Sequence, residues 1–269
     1  AALAIAGTLM QAVFRNPLAS PEILGTAQGS ALGATVAIVL GLNSHWAPML
    51  PICAIVGALA VTAVVYGIAG GTRGFSVGSL LLAGIAMNTL VGALISFAIS
   101  SLTYDDWGQG SRILFWLMGD FDKTTAQAVV TVGVVLVVVA GCLLPFLRDM
   151  DVMTLEGESA RALGVHVPLV RSVLLAAACV LTAVTVAFTG GIAFVGLVVP
   201  HMARLIVGPR HRAVVPSAAV LGGVFLVAAD YLCRVVVPQS GLRVGVVMSM
   251  IGAPFFFYLL VRMRRDRPL

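Results

Sequence analysis

Few residues of this chain are of types that do chemistry, and their spacing argues against catalysis. Asp230 and Arg234 stand four apart in Ala229-Asp230-Tyr231-Leu232-Cys233-Arg234. On a helix that spacing puts both on one face, where they form a local ion pair or offer charge to a partner. His201 follows Pro200 in a short apolar segment and either touches a substrate or packs through a hydrogen bond. Cys53, Cys142, Cys179 and Cys233 are isolated, without the CxxC pairing of a metal or redox site, and read as small buried hydrophobes. The sequence holds no GxxxxGK[ST] phosphate loop, no HExxH and no GxSxG. No catalytic residue and no metal ligand set is assigned.

The elements that must position these residues are apolar. Of 269 residues, 60% are hydrophobic and 10% charged, and the mean hydropathy is +1.07. A soluble domain carries about 25% charged residues to cover its surface. This chain cannot do that, so lipid must cover it. The formal charge of +5 comes from basic residues at the ends of apolar runs, which points to a membrane and away from nucleic acid. Nine apolar segments follow, near 1–13, 27–42, 49–69, 79–102, 127–147, 170–189, 192–206, 214–236 and 244–262. The expected fold is an all-α, polytopic transmembrane helical bundle forming one domain over 1–269. Its first run is too short to span and is read as a helix whose first half lies upstream. Carboxylates and histidines are scarce within the runs, unlike in a proton-coupled carrier, so the energy is expected to enter from elsewhere.

Alternate segment ends differ in charge. One set carries Arg15, Arg73, Arg148, Arg161, Arg171, Arg204, Arg210, Arg212, Arg262, Arg264, Arg265 and Arg267; the other carries Arg112, Lys123, Arg234 and Arg243. The positive-inside rule then places the C-terminus in the cytoplasm. Gly25, Gly29 and Gly33 recur every four residues, either as a bare helix face for close packing or as loop glycines before a helix. The outer stretch 103–125 is expected to be a loop with interfacial aromatics. The cytoplasmic stretch 148–168 is expected to hold a short amphipathic docking helix over 154–163, with Leu155, Ser159, Ala162 and Leu163 on one face and Gly164 ending it.

Six stretches in order then resemble one family. They are Arg15-Asn16-Pro17-Leu18-Ala19 with Pro21 and Leu24-Gly25; Leu80-Leu81-Leu82-Ala83-Gly84; Ala160-Arg161-Ala162-Leu163-Gly164; the run from Gly191 through Phe194 and Gly196 to Pro200-His201; Ala229-Asp230 with Arg234; and Gly252-Ala253-Pro254-Phe255-Phe256. Over essentially its whole length the chain resembles the FecCD-type permease subunits of type II ABC importers for iron-siderophore, haem and cobalamin.

The resemblance implies ten spans per subunit, the first and half of the second lying upstream of Ala1. It implies a homodimer of permeases in the bacterial inner membrane, two cytoplasmic ATPase subunits that hold the ATP and Mg, and a periplasmic substrate-binding protein. The permease itself then has no cofactor and is not an enzyme. Asn16 and Leu18, with Ser76, Val77 and Gly78, fall where the family closes its cytoplasmic gate. Leu155, Gly157, Glu158, Ala160, Arg161, Leu163 and Gly164 fall in the family's coupling helix. Arg234 matches an arginine that meets the binding protein. The chain reads Leu155-Glu156-Gly157-Glu158 where the family has Leu-Gly-Glu, and Gly190-Gly191 where Gly-Pro is common. The expected cargo is a ferric siderophore or haem, with cobalamin as the alternative and a secondary transporter as the reading outside this class.

Overall fold

The computed structural model describes residues 1–42, 46–70, 77–102, 107–122, 124–154, 160, 162–236 and 241–265. Among these residues the regular structure is helical, with no strand. The helices are α1 (Ala2–Phe14), α2 (Thr26–Val39), α3 (Met49–Ala69), α4 (Val77–Ser100), α5 (Trp107–Met118), α6 (Ala126–Leu143), α7 (Leu147–Val152), α8 (Val167–Thr189), α9 (Val195–Val207), α10 (His211–Val236) and α11 (Val244–Arg265). A 3-10 turn, Pro21–Leu24, joins α1 to α2, and Leu144–Phe146 makes a second one between α6 and α7.

Each of the nine apolar segments, about nine spans or part-spans by the sequence, coincides with a helix, and the helices divide by length. Five stretches are long and apolar enough to cross a bilayer: Met49–Ala69, Gly78–Ser100, Ala126–Val152, Val167–Thr189 and His211–Val235. Ala2–Phe14, Thr26–Val39, Val195–Val207 and Val244–Leu259 are apolar but shorter. At 1.5 Å per residue, a 13-residue helix covers roughly 20 Å of a hydrocarbon core about 30 Å thick. Such short helices survive in a membrane when neighbouring protein surrounds them. All thirteen residues of α1 are buried, as a helix apolar on every side should be. It packs against α8, α9 and α10, the last two of which also contact each other.

Close packing depends on missing side chains. A Cβ on Gly33 would stand 2.0 Å from the Cys53 carbonyl oxygen, and one on Gly29 would stand 2.5 Å from that of Gly57. Two of the three spaced glycines therefore form the α2–α3 contact. Gly25, at φ 75°, instead starts α2 from the left-handed region, so both readings of the triplet hold, at different positions. A Cβ on Gly7 would fall 1.8 Å from the Gly196 oxygen, which fixes how closely α1 crosses α9. The lipid-facing side is apolar: Val129, Val130, Val134, Val137 and Val138 of α6 are all exposed. On a soluble protein such a row would drive aggregation, whereas acyl chains cover it in a bilayer.

The outer stretch expected as a loop contains α5. Its apolar positions are interrupted by Gln109, Gly110, Ser111 and Arg112, which hides the helical period. Ile113 is its fully buried anchor.

Candidate functional site

Chemistry-bearing side chains collect at the two ends of the bundle. At the basic end, α1 closes on a left-handed residue, Arg15, at φ 48°. The Asn16 N–H donates to the Gln11 carbonyl at 3.2 Å, the 6→1 bond of a Schellman ending made without glycine. Asn16 Oδ1 then accepts the Leu18 N–H at 2.9 Å, and the Asn16 carbonyl accepts the Ala19 N–H at 3.1 Å. The segment Asn16-Pro17-Leu18 is thus a closed turn, with Asn16 exposed and Leu18 half-buried. Of the three other expected gate residues, Ser76 lies outside the described residues, Val77 opens α4, and Gly78 follows it, exposed. The first 3-10 turn ties the two parts together. A Cβ on Gly84 of α4 would stand 1.9 Å from the Ile23 oxygen, and Asn88 Nδ2 donates to the Glu22 carbonyl at 3.1 Å.

Two polar contacts at this end carried no local sequence signal. Pro200 has no N–H to give the Gly196 carbonyl one turn earlier. Gln11, 3% exposed, supplies the missing donor, its Nε2 reaching the Gly196 and Leu197 carbonyls at 3.4 and 3.3 Å. Its Oε1 accepts from Arg204 of α9. Asp151 of α7 meets His211 at the start of α10, a partner 60 positions along the chain.

The expected coupling segment is described only in part. Leu155, Gly157, Glu158 and Arg161 lie outside the described residues, whereas the C-terminal turn of the segment lies within them. Ala160 is fully buried and Leu163 is 59% exposed. Gly164 has φ 81°, and the Val165 N–H donates to the Ala160 carbonyl at 3.2 Å. This is again a Schellman ending, with glycine at the residue the sequence indicated. Upstream, Pro145 breaks the long span, and α7 carries the chain on with Met150 and Met153 fully buried.

At the other end, Arg234 makes the local pair its spacing allowed. Its Nε and Nη2 donate to the two Asp230 oxygens at 2.8 and 3.2 Å, and Nη2 lies 3.2 Å from Asp122. It remains 54% exposed, so it is within reach of a partner as well. Arg243 pairs with Asp120 and Asp122 and stacks over the Phe115 ring at 5.0 Å. Three carboxylates and two guanidiniums therefore join the α5–α6 connection to the adjoining ends of α10 and α11. Beside them opens a cavity of about 780 Å³ whose wall includes Trp46, Arg112, Phe115 and Trp116. His201 packs edge-on against Phe255, with ring centroids 6.1 Å apart.

With this arrangement in view, the comparisons with known proteins decide the family. The profile of the FecCD transport family matches residues 1–262. The chain belongs to the FecCD transport family. The cobalamin import system permease protein BtuC of Halobacterium salinarum is 42% identical over 267 residues, covering 99% of this chain and 69% of that protein. The vitamin B12 import system permease protein BtuC of Escherichia coli is 38% identical over 268 residues, covering 98% and 79%. Among solved structures, an inward-facing metal-chelate type ABC transporter superposes with a TM-score of 0.86 at 28% identity, over 97% of this chain and 82% of that one. The fold is that of an ABC importer permease, and the named relatives are permease proteins of import systems.

Proposed function

We propose that this chain is the permease of an ATP-driven cobalamin importer. The observation that carries the reading is the pair of relatives at 42% and 38% identity along nearly the whole chain, both named for cobalamin or vitamin B12 import. Ferric siderophore and haem, the first expectation from the sequence, give way to the alternative, since both of these relatives are named for cobalamin or vitamin B12. A metal-chelate cargo keeps one observation in its favour, the 28% identical structural neighbour.

The working assembly in this reading is a homodimer in the inner membrane, C-termini in the cytoplasm, with two ATPase subunits below and a periplasmic binding protein above. ATP and Mg belong to the ATPase subunits. The turn Asn16-Pro17-Leu18 and the start of α4 close the pathway on the cytoplasmic side. The 154–163 segment docks on the ATPase through Leu163, and Arg234 presents charge to the binding protein. The test varies the cargo. Proteoliposomes holding the complete importer are supplied in turn with cyanocobalamin, haem and a ferric hydroxamate, each on its own binding protein. ATP-dependent uptake of cyanocobalamin alone is the expected result. Uptake of an iron chelate without cobalamin would overturn the assignment.

A further inference from the structure

The contact between Asp151 and His211 belongs neither to the gate nor to the docking surfaces. Asp151 lies three residues before Thr154, where the coupling segment begins. Its Oδ1 accepts two hydrogen bonds from one residue, the His211 backbone N–H at 2.8 Å and the His211 Nδ1 at 2.6 Å. The His211 side chain is 3% exposed. A carboxylate only accepts, so Nδ1 is the donor, and Nε2 has no partner among the described residues. The carboxylate also sits at the N-terminus of a 26-residue helix, where the helix dipole favours negative charge.

The two sides of the contact differ in what they can move. On one side, Met150 and Met153, which flank Asp151 in the chain, are fully buried and anchor this stretch of backbone. On the other, α10 is roughly 39 Å long, with Pro216 inside it a little over one turn past His211. Near its far end Arg234 joins the outer charge cluster. Behind its first residue, the turn at Gly208 leads back to Arg204, which holds Gln11. The Gln11 carbonyl in turn takes the Asn16 N–H of the gate turn.

We propose that Asp151 and His211 form the joint through which the coupling segment moves α10. Asp151 is a positioning residue: it touches neither cargo nor nucleotide, and it fixes the start of the helix that reaches both the gate turn and the outer cluster. The inference rests on the importer reading and on 154–163 as the ATPase contact.

The test is cyanocobalamin uptake per ATP hydrolysed, in proteoliposomes of the complete importer. Asp151→Ala and His211→Ala are expected to lower that ratio about fivefold or more, at the lower end of coupling between distant sites, with ATPase affinity unchanged. Asp151→Asn keeps an oxygen for both donors and is expected to restore most of the ratio. The double variant is expected to be no worse than either single one, as for two groups that act through each other. An unchanged ratio in Asp151→Ala overturns the joint, as does a fall of uptake and hydrolysis in step. Where an alanine variant does not assemble, Asp151→Leu and His211→Phe fill the same space without the bond, and an unchanged ratio in them overturns it equally. Wild-type importer run alongside separates the two readings. No ATP-driven uptake by wild type sinks the transport assignment, whereas a working wild type matched by its variants sinks the joint alone.

Discussion

Leu163 and Ala160 stand one helical turn apart with opposite exposures, and the contrast gives a quantitative test of the ATPase contact. Leu163 is 59% exposed in the permease, whereas Ala160 is wholly buried. Fully burying a leucine side chain contributes about 1.5–3 kcal/mol, so covering a little over half of one contributes roughly 1–2 kcal/mol. Removing it by Leu163→Ala should therefore weaken each permease–ATPase contact about 5- to 30-fold, at about 1.4 kcal/mol per tenfold. Leu163→Asp should exceed that range, because a docked carboxylate without a partner costs several kcal/mol more. Neither change should lower the melting temperature of the permease alone, since the side chain is mostly outside its packing. Ala160→Asp should do the reverse, destabilising the permease itself through an unpaired buried charge. The measurement is ATPase affinity for nanodisc-held permease, beside thermal melting of the permease. Wild-type affinity in Leu163→Asp, with the permease intact, would refute the docking role.

Three further outcomes follow from the same geometry. Gln11→Leu strands a part-buried guanidinium and a carbonyl that Pro200 cannot serve, and should cost about 2–4 kcal/mol of stability. Gln11→Glu keeps an oxygen for Arg204 and should cost less, and equal losses in the two variants would show that Arg204 is not the anchor. Arg234→Glu turns a cluster of three carboxylates and two guanidiniums into four against one, and should weaken binding-protein affinity with a marked salt dependence. A fall in melting temperature with affinity and its salt slope unchanged would leave Arg234 as an internal pair only. Leu18→Gly should raise leak of cargo through ATP-free proteoliposomes, and a seal as tight as wild type would leave Asn16-Pro17-Leu18 as a helix ending only.

The parts legible in the sequence are those fixed by neighbours along the chain. Apolar runs give every long helix, because lipid asks only for continuous hydrophobicity. Gly164 after Leu163 signals a helix ending, and Asp230 with Arg234 signals a pair, since both arise within one or two turns. What stayed hidden depends on residues far apart. Nothing near Gln11 announces that its amide serves a carbonyl freed by a proline 189 positions later. Asp151 looks like an ordinary surface carboxylate until α10 begins beside it. The helix α5 was missed for a different reason: its polar positions read as a loop, and only its neighbours make it a packed element.

The placement of polar groups also bears on how a cargo is selected. Several hydroxyls within the helices bond to their own helix: Thr8 donates to the Ala4 carbonyl at 2.9 Å, Thr35 to Ala31 at 2.8 Å, and Thr182 to Ala178 at 2.8 Å, whereas Thr26 with Thr62 and Tyr66 with Ser172 bond between helices at 3.0 and 2.9 Å. A threonine bonded back one turn offers its methyl group outward and has spent its donor. Close helix crossings are made by glycine against backbone, which leaves no side chain to vary. Strong polar contacts between helices therefore gather at the ends, where Gln11, Arg204, Asp151 and His211 join elements on one side and Asp120, Asp122, Arg234 and Arg243 join them on the other. A bundle built this way holds its ends in register while its middle stays chemically plain. Selection among cargoes is then expected to rest on the binding protein that delivers the ligand. Exchanging that protein between importers should change what is carried, provided Arg234 and its neighbours still accept the new partner.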